Sequence, residues 1–220
     1  MNFVIKVLTS VLLSLFAFSN VVAARGRASS LLDSNLTVSV YNDAVIPAAT
    51  LQEAETIAAR IFEESGIHVV WLNCSPGNPM TGAVCKIAVS ERNLQVRVGR
   101  HSLNLQPSVL GISYLVSDGG NQADVFYESI ESLRGDGPTQ PAIILGHVIS
   151  HEIGHLLLGT NSHSPSGIMR AHWDREQLSL AVAGLLTFTK SQSRHMTARL
   201  LKTTSTAECS PGGLEYSATN

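Results

Sequence analysis

His151-Glu152-Ile153-Gly154-His155-Leu156-Leu157-Leu158-Gly159-Thr160-Asn161-Ser162-His163 is the stretch on which the reading of this chain turns. A helix is predicted from Gln140, with Pro141 in its first turn and Thr139 as a cap. It runs through Ile143, Ile144, Val148, Ile149 and the Leu156–Leu158 run until Gly159 ends it. Residues four apart on a helix lie one turn apart on the same face, so the imidazoles of His151 and His155 can point at one ion. Glu152 is rotated by about 100° from His151 and stays off that face. Its carboxylate is therefore placed to act on a water rather than to ligate. Unpaired polar side chains inside so apolar a helix would cost on the order of 1–3 kcal/mol each. A bound cation removes that cost.

A catalytic zinc takes three protein ligands and keeps one position open. Gly159 breaks the helix one turn after His155, and His163 is the first strong ligand that the returning chain supplies. Gly167, Ile168 and Met169 follow as an apolar turn placed to floor the metal. Glu176 is the competing third ligand, on the opening turn of the next helix, where a solvated carboxylate is also favourable in its own right. His147 lies one turn before His151 and reads as a packing or supporting residue, because three ligands on one straight helix diverge from a single ion. Arg170 and His172 flank the apolar turn and read as surface or packing residues.

Working outward, Leu36 to Tyr41 alternates in the manner of a strand. Thr50 to Ser65 has helical spacing and is closed by Gly66 at the C′ position. Ile67 to Leu72 is a second strand. A strand, a helix and a strand in that order make a right-handed crossover and a parallel pair. Cys85 to Ser90 reads as a further strand, and Asn93 to Leu110 resists assignment. Gly111–Ser117 and Ala123–Ile130 read as strands about the turn Asp118-Gly119-Gly120-Asn121. Asp174 with Gln177 forms a capping-box pair, with Trp173 and Leu178 at the staple positions. Thr189 and Gln192 repeat the capping pattern, which predicts a break near Phe188, a last helix to about Leu201, and a loose tail over 203–220. The expected fold is α/β, with a twisted, mixed but mostly parallel sheet, one long active-site helix and C-terminal helices.

Hydrophobic residues make up 44% of the chain and charged ones 15%, with a formal net charge of −2, which describes a globular protein. No basic run is present, so no nucleic-acid partner is expected. Lys6, the apolar stretch Val7 to Phe18 and the small residues Val22-Ala23-Ala24 read as a signal peptide over 1–24. The alternative is an uncleaved anchor, since the run nearly spans a bilayer. Cleavage predicts a secreted or periplasmic chain without stable membrane association, whose catalytic domain covers 35–202. Export suits a disulfide, and Cys74 and Cys85, which bracket the turn-rich Ser75-Pro76-Gly77-Asn78-Pro79, are the natural pair. Cys209 is left over.

The helix, the glycine, the third histidine and the Ile-Met turn over 151–169 resemble the metzincin zinc peptidases, most of all their matrixin branch. The order of elements over 36–202 is similar too. The resemblance implies Zn2+ held by His151, His155 and His163, with Glu152 as the acid/base acting on a zinc-bound water and Met169 as the Met-turn methionine. It also implies a polypeptide substrate cleaved internally, lying along the Gly111–Ser117 strand. The family pattern is His-Glu-x-x-His-x-x-Gly-x-x-His. Here the glycine falls one residue late and the third histidine two residues late, and Asn161 occupies the customary third-ligand position. A neutral amide is a poor zinc ligand, so this chain needs a longer turn between Gly159 and His163. Two other readings use the same residues: a secreted zinc-binding protein without turnover, against which Glu152 argues, and a hydrolase of small amides.

Overall fold

The computed structural model describes residues 35–74, 85, 90–101, 106, 108–116, 119–133 and 140–208. Strand β1 (Asn35–Asn42) buries Leu36, Val38 and Val40 on one face. Helix α1 (Ala48–Glu63) follows and buries Leu51, Ala54, Ala58, Ile61 and Phe62 at helical spacing. It ends in a Schellman arrangement, with Ile67 N–H on the Phe62 carbonyl at 3.0 Å and Gly66 N–H on that of Glu63 at 2.9 Å. Gly66 takes the left-handed φ of 75° at the position where the sequence requires a glycine. Strand β2 (His68–Asn73) returns parallel to β1, as the strand-helix-strand order predicts.

Three further strands are β3 (Asn93–Gly99), β4 (Gly111–Val116) and β5 (Gly119–Phe126). Among the described residues they extend the sheet to five strands, in the order β2-β1-β3-β5-β4. Every pair is parallel except β4 with β5, which places the one antiparallel strand at an edge. The fold is therefore α/β with a mixed, mostly parallel sheet, as the sequence predicts.

Several elements differ from expectation. Strand β3 occupies the start of the unassigned Asn93–Leu110 segment, with Leu94, Val96 and Val98 buried and Arg97 exposed. Strand β5 begins inside the expected turn, at Gly119. A Cβ on Gly120 would collide with the Tyr114 carbonyl and stand 2.8 Å from Leu156 Cδ2, so the bare backbone there serves close strand packing. The same strand stops at Phe126, and the expected strand residues Tyr127–Ile130 instead open a short helix, α2 (Tyr127–Ser132). Phe126 and Ile130, both buried, are four apart, a spacing that suits a helix as well as a strand end. The expected Cys85–Ser90 strand falls mainly outside the described residues, and Ser90 makes a single antiparallel bridge to Asn93.

Helix α3 (Pro141–Leu158) packs on β4, β5 and α1. It is long and apolar enough to cross a bilayer by composition, yet 83% of it is buried inside the protein, which makes it a core helix. Its N-cap is Gln140, without a side-chain cap bond, and the expected cap Thr139 lies outside the described residues. Helix α4 (Arg175–Val182) opens with the predicted box: Glu176 N–H donates to Asp174 Oδ1 at 2.7 Å, and Asp174 N–H to Gln177 Oε1 at 3.2 Å. Thr189 and Gln192 repeat the reciprocal bonds, at 2.9 and 3.3 Å, before α5 (Lys190–Glu208). That helix passes the expected end near Leu201 and takes in 203–208, which the sequence assigned to the tail. No Gly or Pro stands between Lys202 and Glu208 to stop it. Cys74 and Cys85 are joined by a disulfide, Cα atoms 5.7 Å apart. The expected leader over 1–24 and Cys209 lie outside the described residues.

Candidate metal centre

One helical turn separates His151 from His155 on α3, and both rings are buried. Each is aimed by a main-chain carbonyl: His151 Nδ1 lies 2.8 Å from the Ile168 oxygen and His155 Nδ1 2.7 Å from that of Thr160. A carbonyl only accepts, so both Nδ1 atoms carry the proton and both Nε2 atoms of the neutral rings keep a lone pair. Those Nε2 atoms are 3.1 Å apart. Two lone pairs facing at that distance repel unless a cation takes both. A proton is a poor candidate for that cation. Burial pushes His151 down to about 4 and lowers His155 as well, with the neighbouring histidines adding to the shift. Neutral imidazoles are the form that a divalent metal binds.

The third ring arrives from the loop. Gly159 adopts φ 66°, and the N–H groups of Gly159 and Thr160 bond to the His155 carbonyl at 2.9 and 3.3 Å. Because the His155 ring bonds back to Thr160, the helix terminus and this imidazole fix each other. His163 then stacks on His151 with centroids 5.3 Å apart and meets His155 edge-on at 4.9 Å. Ligand atoms of His151, His155 and His163 all lie within 4.8 Å of one another. Asn161 lines the same cleft, and Glu176 is exposed at the start of α4 and is no part of the histidine group. His147 is fully buried, with Nδ1 bonded to Ile143 O at 2.7 Å and its ring edge-on to Trp173.

Below the histidines, Gly167 turns the chain at φ 73° and Ile168 N–H bonds to Thr187 O at 2.9 Å. This holds the Ile168 carbonyl against His151 and seats the fully buried Met169 under α3. The seat exists because residue 154 is glycine: a Cβ there would stand 2.7 Å from Met169 Sδ and 2.7 Å from Phe188 Cε1. Gly146 does the same for α1, since a Cβ would meet Ala54 O at 2.6 Å. Close packing thus accounts for both helix glycines.

Glu152 is 5% exposed and faces the edge strand β4. Ser113 Oγ lies 2.6 Å from its Oε2 and 2.8 Å from its carbonyl oxygen. A Cβ on Gly111 would come within 2.7 Å of both Glu152 Cγ and Oε1. Burial pushes the Glu152 carboxyl up to about 7, against the Ser113 bond, which pulls it down. A cation held beside it would lower it further. Nothing local in the sequence marks Ser113 or Gly111 as partners of Glu152. Their only trace is two small residues at inward register on an edge strand.

A cleft of about 450 Å³ opens on these groups, with Leu110, Leu133, Val148 and Trp173 among its apolar walls; Arg170 and His172, expected as surface or packing residues, also line it. Three convergent imidazoles, a buried carboxylate and an adjoining cleft can hold a divalent cation and move a proton beside it.

No protein-family profile matches this chain, and no curated protein does. Among solved structures, the chain is similar to archaemetzincin from Methanopyrus kandleri, with TM-score 0.50 and 16% identity over 76% of this chain and 96% of that one. It also matches a zinc-dependent peptidase from Methanocorpusculum labreanum (strain Z), with TM-score 0.49 and 14% identity over 72% of this chain and 99% of the other. At this identity, the archaemetzincin likeness shows a shared fold.

Proposed function

We propose that this chain is a zinc-dependent peptidase that cleaves polypeptides internally. The observation that carries the reading is the three-histidine cluster with Glu152 beside it. Two buried Nε2 lone pairs at 3.1 Å call for a cation, and an all-imidazole set suits zinc. Zinc, when bound, lowers the pKa of its water toward about 7 and polarises the scissile carbonyl. Glu152 accepts the proton of the attacking water and delivers it to the departing amine nitrogen. A pure metal-holding site has no use for a buried carboxylate at that place.

Strand β4 is the edge of the sheet and borders the cleft through Gly111, Ile112 and Ser113. An extended substrate pairs its backbone there, which suits cleavage within a chain rather than at an end. The archaemetzincin-like fold agrees with the metzincin motif, and the matrixin-like branch is the finer reading of residues 151–169. Residues 1–24 act as a signal peptide in this reading and deliver the enzyme to a secreted or periplasmic location.

The test is Glu152→Gln in zinc-loaded protein assayed on casein, with and without chelator. Zinc content should stay stoichiometric while turnover falls by about 10²–10⁴-fold. Equal activity in the variant and the parent would exclude the mechanism. Stoichiometric zinc with no turnover in the parent would favour a zinc-binding protein instead.

A further inference from the structure

We infer that Ser113 is a positioning residue, which holds one oxygen of Glu152 so that the other performs the proton transfer; this rests on the peptidase reading above. The Ser113 hydroxyl is buried and reaches Glu152 Oε2 at 2.6 Å. It also reaches the Glu152 carbonyl oxygen at 2.8 Å, so its single proton ties together the side chain and main chain of one residue. Two residues earlier, on the same side of β4, Gly111 stands against Oε1. The strand thus offers a donor to one carboxylate oxygen and a hollow to the other.

The Ser113 bond falls on Oε2 and leaves Oε1 on the Gly111 side. The latch is rigid because it belongs to the sheet: Gly111 pairs with Val125 and Ser113 with Ala123 across the antiparallel ladder. The terminal torsion of a glutamate is otherwise broad. A general base must stand about 2.6–3.2 Å from the proton it takes, so a carboxylate free to rotate spends part of its time misaligned. In the assigned roles, Oε1 takes the proton from the attacking water and later gives it to the leaving nitrogen. Ser113 keeps its own proton throughout and forms no bond to substrate.

The experiment uses the zinc-loaded full chain with Ser113→Ala and Ser113→Thr. Ser113→Ala should keep its zinc, melt somewhat lower because Oε2 loses its donor, lose about 10–100-fold in kcat, and leave KM within about twofold. Ser113→Thr, which retains the hydroxyl, should recover most of the loss. Should Ser113→Ala fail to fold, Ser113→Cys takes its place, because a thiol is a weak donor of similar size. A second readout does not depend on turnover. In protein labelled with carboxyl-13C glutamate, the infrared band of Glu152 is identified by its absence in Glu152→Gln, and it should shift in Ser113→Ala. An active parent with kcat unchanged in Ser113→Ala would overturn the inference, as would an unshifted Glu152 band. An inactive parent would instead remove the peptidase reading, and the infrared shift alone would then decide whether Ser113 holds the carboxylate.

Discussion

Met169 sits so close beneath Gly154 that a Cβ on the glycine would stand 2.7 Å from its sulfur. Gly154→Ala adds about 1 kcal/mol of helix propensity but overpacks the seat, which costs about 1–3 kcal/mol. Part of the strain is relieved by the adaptable thioether, while the Phe188 ring on the other side yields less. The variant should melt roughly 2–4 °C lower and bind zinc more weakly. Thermal unfolding with and without chelator measures both, and a higher melting temperature would contradict this packing.

His163→Ala should weaken zinc binding by more than the roughly 10–100-fold that loss of a supporting residue costs. Glu176→Ala should bind zinc as the parent does, because Glu176 stands outside the histidine cluster. Metal competition titrations on the two variants decide between them, and the opposite order would move the third ligand to the helix.

Much of this site was legible because its chemistry is local. A four-residue repeat on one helix sets His151 and His155, and one glycine sets the stop at 159. The capping boxes at Asp174 and Thr189 were legible for the same reason. Ser113 and Gly111 were not, because their meaning comes from a strand 39 residues away from Glu152 in sequence. Strand β3 is hard to read although Leu94, Val96 and Val98 alternate, since the lone Gly99 that ends it is followed by no further turn residue until Ser102. The strand-to-helix switch at Phe126 was hidden by apolar residues that fit both periods. The last helix ran longer than expected because Ser and Thr lower helix propensity without forbidding it.

Glu55 gives a pH dependence that is independent of the metal. It is 6% exposed, and one of its oxygens lacks a partner among the described residues. Burial raises its pKa above 4.5, against an opposing bond from Asn73. A raised folded-state value means that Glu55 favours folding fully below the unfolded pKa, and that this contribution is lost as pH rises through the folded one. Glu55→Gln should therefore lose part of the decline in stability that the parent shows over that interval, and be the more stable of the two above it. Chemical denaturation at pH 4 and pH 8 would show this, and a variant less stable at both would count against it.

Replacing Cys74 and Cys85 together by alanine releases a loop closed over a separation of 11 residues. Chain entropy puts the loss at about 2–3 kcal/mol. The variant should unfold at lower denaturant concentration in the same way as reduced parent protein. Equal midpoints for oxidised and reduced parent would show that the crosslink adds nothing.

The carbonyls of Thr160 and Ile168, which bracket the His163 loop, each accept a hydrogen bond from one of the two helical rings. Those contacts act as fixed abutments, and the span between them can change length without turning either ring. Doubling such a span costs only about 0.6 kcal/mol of chain entropy. Of the two residues by which this chain exceeds the usual pattern, the one between Gly159 and His163 falls inside that span and is therefore a cheap variation.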